Sequence, residues 1–406
     1  MHVPARFVLG PLVLATVALT GCVGHGGYTK AHLSAAKEKM DMMKSATEWE
    51  MARQAFLAGD LEKALRGVNQ SLTINPNVAK SHLLKGRVLL EMNDLEGSLA
   101  CFERSHELQP DNAEAEYYHA LAFERFAKPD EALAHYLKAC ELDVSSAQYC
   151  IATAETMIDL NRMDEAEKFL TERRVRHEHN AGVRQTLGHI ALMRGDSAHA
   201  VELFNEARLL APDDKGILED LTSAQIQLGR YADAEANLAR LLTGVAPTDR
   251  RDLRHQRANC LKQLNRPLEA REVLVQLTEG AAGQADTDAW IALGRVAYEL
   301  KDNARLRAAA ARVVANEPKM PDGYILKALL ERRQGNLRAA RDYAAQALML
   351  RRDSSTLVLL GMICKESGET DTARLCFQEA TKLDPSDKSA SSMLASMDAS
   401  SASATR

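Results

Sequence analysis

Aromatic residues make up only 5% of this 406-residue chain, and just two of them are tryptophan. Alternating runs of β-branched residues are missing as well, so a half-buried sheet has nothing to be built from. No glycine-rich loop follows a strand, and neither Gly-x-Ser-x-Gly nor His-Glu-x-x-His occurs. Phosphate-loop, serine-hydrolase and zinc-protease chemistry therefore lack their residues. Cys-x-x-Cys is absent too. His177 and His179 stand two apart, whereas a helical metal pair needs i, i+4 spacing, so a polar joining loop is expected there. The net charge is −5 with no basic stripe interleaved with aromatics, which argues against nucleic acid as a partner. No motif calls for a cofactor, a metal or a small-molecule substrate, and the chain is not expected to be an enzyme.

What the chain does have is a beat. Ala64, Ser98, Ala132, Ala166, Ala200 and Ala234 follow one another at steps of 34 residues, and the series resumes at Ala270, Leu306, Ala340 and Ala373. A second small series precedes it by twelve positions at Ala52, Gly86, Ala120, Ala154, Gly188, Ala258, Gly294, Ala328 and Gly361. Two antiparallel helices approach closely only where side chains are small, so these positions face each other across a helical hairpin. Short polar turns such as Ala58-Gly59-Asp60 and Met92-Asn93-Asp94 separate them, with Gly or Asn ending the first helix. Pro76, Pro110, Pro212, Pro318 and Pro385 stop the second. Large apolar residues four positions after the second small series (Val68, Phe102, Tyr136, Leu170, Phe204, Leu238, Leu274, Phe377) form a core stripe.

This pattern resembles the tetratricopeptide repeat, a 34-residue helix–turn–helix unit, and Trp290-Ile291-Ala292-Leu293-Gly294 places that family's Trp, Leu and Gly at its offsets. The resemblance implies an all-α, right-handed superhelical solenoid of about ten repeats over residues 45–386. Residues 387–398 would form a capping helix and 399–406 a disordered tail. Two copies run long, at Gly244-Val245-Ala246-Pro247 and Gly280-Ala281-Ala282-Gly283, and are candidate bends unless they are merely loop slack.

The amino terminus sets a location. After a start carrying Arg6, the apolar stretch Phe7–Leu19 has the length of a signal-peptide core and is short for a membrane span. It ends in Leu19-Thr20-Gly21-Cys22, which resembles the lipobox of bacterial lipoproteins. The resemblance implies removal of residues 1–21 and lipidation of Cys22 as the new amino terminus. Two or more acyl chains anchor stably where one does not. Val23 rather than Asp favours, by the same resemblance, the outer membrane and a periplasmic orientation. Residues 22–44 would form a glycine-rich tether and a charged leading helix. Of the other cysteines, Cys140 and Cys150 are the only pair expected to lie near each other. Free buried cysteine is the commoner state.

Recognition by surface remains. Family ligands contact positions 2, 5, 9, 12 and 13 of each repeat, which here implies a groove carrying Arg53, Lys80 and Arg87. Glu124, Glu155, Asp159 and Glu219 follow, then His255, Asn259, Lys262, Arg295, Tyr298, Arg332, Arg333 and Lys365. Its charge reads basic, acidic, basic. Only His255 with Asn259 approaches the Lys/Asn pair that grips a terminal carboxylate elsewhere in the family. The expected function is a membrane-anchored scaffold that binds cell-envelope proteins and supports assembly of a pilus, secretion or outer-membrane machine. An adaptor for peptidoglycan-modifying enzymes or a regulatory subunit of a protease is the alternative.

Overall fold

The computed structural model describes residues 27–246 and 248–404; Cys22 and the apolar stretch before it lie outside the described residues. Among these residues there are 22 α-helices and no strand. They belong to two compact units that divide between Arg162 and Met163.

The first unit holds α1 (Gly27–Leu57), α2 (Leu61–Ile74), α3 (Ala79–Glu91), α4 (Leu95–Leu108), α5 (Ala113–Arg125), α6 (Pro129–Leu142) and α7 (Ala147–Asp159). The second begins with α8 (Met163–Arg173), α9 (Ala181–Met193), α10 (Ser197–Leu210), α11 (Lys215–Gln227), α12 (Tyr231–Leu241), α13 (Arg251–Gln263) and α14 (Pro267–Leu277). It continues through α15 (Gly280–Ala285), α16 (Thr287–Glu299), α17 (Asn303–Asn316), α18 (Pro321–Arg333), α19 (Leu337–Leu350), α20 (Ser354–Glu366), α21 (Thr370–Leu383) and α22 (Lys388–Ala404). Each unit is a stack of helical hairpins, the α-solenoid architecture.

The hairpin turns follow from local chemistry. The residue that reverses the chain has positive φ in the same slot throughout, at Gly59, Asn93, Asn161, Gly195, Gly229, Asn265, Gly335 and Gly368. Ala127 and Lys301 adopt it as well, at a backbone cost of about 1–2 kcal/mol that hairpin packing must offset. The next residue often caps the second helix: Asp60, Asp94, Asp196 and Asp302 accept from the N–H groups of Lys63, Gly97, His199 and Arg305.

All ten members of the second-helix small series, from Ala64 to Ala373 and including Leu306, are 0% exposed. Opposite them the sizes are matched pair by pair. Where the second helix carries phenylalanine, the first carries glycine: a Cβ added at Gly86, Gly188 or Gly361 would lie 2.5, 2.6 or 2.7 Å from Phe102, Phe204 or Phe377. Where it carries leucine or valine the first helix can hold a methyl, as in Leu274 with Ala258 and Val68 with Ala52. In the eighth repeat the second helix has only Ala310, and Leu326 of the next hairpin comes within 2.6 Å of the Gly294 position instead.

Four sequence expectations change. The leading helix and the first helix of repeat one are a single helix, α1, of 31 residues. The cap runs on to Ala404, because the Ala/Ser stretch after Met397 continues a helix rather than ending it. Ala390 and Met397 of that helix are buried with Phe377 and Ala380. Cys140 and Cys150 are joined as a disulfide with Cα atoms 5.5 Å apart, because α6 ends and α7 begins at adjoining points. Closing so short a loop stabilises by about 2–3 kcal/mol on chain-entropy grounds. Cys101, Cys260, Cys364 and Cys376 are free. Finally, the two long copies are pinned rather than slack. Buried Arg254 donates to the carbonyls of Val245 and Ala246 at 3.1 and 2.8 Å. The second insertion forms α15, to whose Gly283 carbonyl the Trp290 indole donates at 3.0 Å. The division into units falls at neither insertion but inside the fourth repeat.

Size matching predicts coupling between facing residues. Gly188→Ala alone should overpack Phe204 and cost about 1–3 kcal/mol. Adding Phe204→Leu, which recreates the Ala258–Leu274 arrangement, should cost at least ~1 kcal/mol less than the sum of the two single changes. Urea unfolding followed by circular dichroism measures the cycle, and additive effects would contradict the matching.

Candidate partner-binding face

The first helices of the repeats carry the candidate residues, and the structure ties most of them to the neighbouring repeat. In the first unit the Trp49 indole donates to the Lys80 carbonyl at 3.1 Å, and the Lys80 ammonium sits 4.3 Å from the Trp49 ring centre. Arg53 pairs with Glu50 at 2.7 Å. Arg87 lies between the rings of Phe56 and Tyr118, at 5.1 and 4.4 Å, and donates to Glu114 at 3.0 Å. Tyr117 and Tyr149 pack at a tilt with ring centres 5.1 Å apart, and Gln148 donates to the Tyr117 hydroxyl. Glu124 accepts from the buried Tyr136 hydroxyl at 2.7 Å. Burial, reinforced by that carboxylate, holds the phenol well above its usual range. Glu155 and Asp159 are exposed on α7.

In the second unit Glu219 accepts two bonds from Arg250, at 2.7 and 2.8 Å. His255 bonds Asp286 at 2.8 Å, and Arg251 contacts the same carboxylate. Burial alone would raise the Asp286 pKa, but the Ala289 N–H, His255 and Arg251 together hold it below the usual value. Arg295 donates to Asp322 at 2.8 Å; the Asp322 side chain is 8% exposed and the Arg295 side chain 56%. Arg332 is bidentate to Glu366 and only 20% exposed. Arg333 lies over the Tyr298 ring at 4.0 Å. Lys365 reaches Ser396 of the cap at 3.4 Å, while Asn259 and Lys262 are exposed.

Arg87, His255, Arg295 and Arg332 are thus half of a set of rungs that join one repeat to the next. Their partners Glu114, Asp286, Asp322 and Glu366 lie about one repeat further along, so a tally of like charges passes over them. The charges still face outward where exposure remains, above all at Arg295, Asn259 and Lys262 in the second unit and Lys80 in the first.

A polar cluster that the periodicity does not signal sits inside the first unit. The Glu116 side chain, 1% exposed, accepts from His135 Nδ1 at 2.7 Å and has Lys138 Nζ at 2.9 Å. His106 Nδ1 lies 2.6 Å away but off a hydrogen-bond direction, so that contact is charge proximity. Burial would raise Glu116, yet the His135 and Lys138 bonds outweigh it and hold the carboxyl at about 2. Beside it His119, buried, stacks on Phe123 and His135, and burial followed by His135 depresses it to about 4. No group of three His, Cys, Asp or Glu among the described residues is placed to hold a metal.

Geometry therefore defines a class: helical-repeat scaffolds, which work by presenting side chains from stacked hairpins. The tetratricopeptide repeat model matches residues 79–112 and 354–387, and the model for the anaphase-promoting complex, cyclosome, subunit 3 matches residues 96–173. Solved structures similar to part of the chain include Pseudomonas aeruginosa pilF, 18% identical over 49% of this chain and 90% of that one, with a TM-score of 0.43. PilW, described as a type IV pilus biogenesis factor, is 15% identical over 53% and 98%, with a TM-score of 0.46. A tetratricopeptide repeat protein from Parabacteroides merdae is 16% identical over 63% and 99%, with a TM-score of 0.44. No curated protein sequence matches.

The buried cluster makes the first unit acid-sensitive. His119 takes up its proton more readily unfolded, near pH 6.5, than folded, near pH 4, so stability falls as pH drops through that window. Glu116 adds a loss between about 4.5 and about 2. His119→Phe should flatten the loss between pH 7.5 and 5 in urea midpoints. An unchanged slope would show that His119 is not the titrating group.

Proposed function

We propose that this chain is a lipid-anchored periplasmic scaffold that gathers proteins of the cell envelope, through its first-helix faces, for assembly of a multi-protein envelope machine. One observation carries the binding reading: Arg295 is held by a nearly buried carboxylate while more than half of its side chain stays open. A guanidinium fixed in this way has already lost much of its rotamer freedom, so pairing it with a partner's carboxylate costs less. Exposed Lys262 and Asn259 lie on α13, on the first-helix face of the same unit. Placement at the envelope is supported by the lipobox resemblance at Leu19–Cys22 and by the Cys140–Cys150 disulfide, a bond that persists in oxidising compartments.

Charge probes must avoid the rungs. Arg332→Glu would leave Glu366 facing a like charge and test stability instead of binding. Lys262→Glu leaves the rungs intact and should weaken capture of envelope partners roughly fivefold, read by photocrosslinking from residue 259, with the urea midpoint unchanged. Equal capture would remove the face from the proposal. Cys22→Ser should move the protein from the membrane to the soluble fraction, and continued membrane retention would sink the anchor.

A further inference from the structure

The first eighteen residues of α1 extend beyond the hairpin that the rest of the helix forms with α2. From residue 32 to residue 40 every side chain is exposed. Leu33, Met40 and Met43 are 59%, 50% and 65% exposed, and Met51, further along, is 50% exposed. At 3.6 residues per turn Leu33, Ala36, Met40 and Met43 fall on one stripe, while Met42, 51% exposed, lies on another face. That stripe points away from the side on which Ser45 and Ala52 are buried. An apolar row turned from the core has no structural use within the hairpin.

The charges flanking it are of one sign. Lys37 and Lys44 border the stripe on one side and Lys39 on the other, while Glu38 and Asp41 fall on the far half of the helix. None of the three lysines forms an ion pair among the described residues, in contrast to Arg53 and Arg87 further along the unit. Apolar side chains bordered on both sides by lysines suit a helix lying in the plane of an anionic bilayer. Methionine and leucine enter the acyl boundary there and the lysine stems carry their ammonium groups to the phosphates. The same row of lysines opposes pairing with a second copy of α1, because like charges would then meet along the seam.

We infer that the leading half of α1 is a membrane-surface helix that docks on anionic phospholipid headgroups. The inference deepens the anchor reading, since Cys22 precedes Gly27 by only five positions and a lipid there would deliver this helix to the bilayer. It would fix how the first unit meets the membrane instead of leaving the unit on a loose tether.

The test removes the anchor. A chain beginning at Val23 keeps every described residue and lacks both the apolar stretch and Cys22. It should co-sediment with vesicles of phosphatidylglycerol and phosphatidylcholine, in a salt-sensitive manner, and not with vesicles of phosphatidylcholine alone. Lys37→Gln/Lys39→Gln/Lys44→Gln should weaken that partitioning at least about tenfold. Met40→Ser/Met43→Ser should weaken it as well, with helix content by circular dichroism unchanged in both variants. Absence of binding to the anionic vesicles, or equal binding by wild type and the triple variant, overturns the proposal. If the vesicles are ignored while the lysine changes abolish crosslinking to an acidic protein, the surface is a protein dock and the lipid assignment is wrong. Because Cys22 is absent throughout, failure here leaves the lipid-anchor reading to its own test.

Discussion

Close approach of two helices at one small residue is the contact on which everything else in this chain rests. Most hairpins bring a first-helix Gly or Ala against a second-helix side chain, and in several of them the two volumes trade off. Phe102, Phe204 and Phe377 each meet a glycine, and in each case a single added carbon would fall within 3 Å of the ring. Leucine and valine allow a methyl opposite. Interiors packed to crystal-like density do not tolerate both partners growing. The repeat therefore conserves a sum of volumes more than it conserves either residue. The eighth hairpin, where Leu306 and Ala310 exchange sizes, keeps that sum by admitting Leu326 from its neighbour.

Once hairpins are closed in this way, neighbouring repeats need register, and polar rungs supply it. Arg87 with Glu114, His255 with Asp286, Arg295 with Asp322 and Arg332 with Glu366 each link one first helix to the next repeat. Such pairs contribute modest energy where exposed. Their larger effect is geometric, since a bidentate or part-buried pair admits few arrangements. The same side chains then serve two ends. A residue like Arg295 is both a tie between repeats and an outward-facing donor, so the binding face is rigid because the array is.

Much of this was legible in residue order. The period, the turns at Gly59, Asn93 and Gly195, and the buried series from Ala64 to Ala373 all follow from local sterics, because a hairpin's contacts lie close in sequence. The positive-φ turns at Ala127 and Lys301 were not marked by residue type; only their slot in the repeat points to them. The Glu116, His119, His135 cluster was likewise invisible, since its members come from two helices and gain meaning only when burial removes their water. The inserts at 244–247 and 280–283 read as bends or slack, because length alone says nothing about Arg254 and Trp290, which bond to Val245, Ala246 and Gly283.

By itself, then, the sequence determined the helical hairpin and its repetition, because those depend on contacts within about 34 residues. It also determined the apolar start and Leu19–Cys22. Tertiary structure decided which charges are committed to rungs and which stay open, that Cys140 meets Cys150, and that the chain divides inside its fourth repeat. It also decided that the row from Leu33 to Met43 faces away from the core. Those outcomes depend on distance and burial between elements, and an ion pair or an exposed stripe exists only once a neighbouring surface is present or absent.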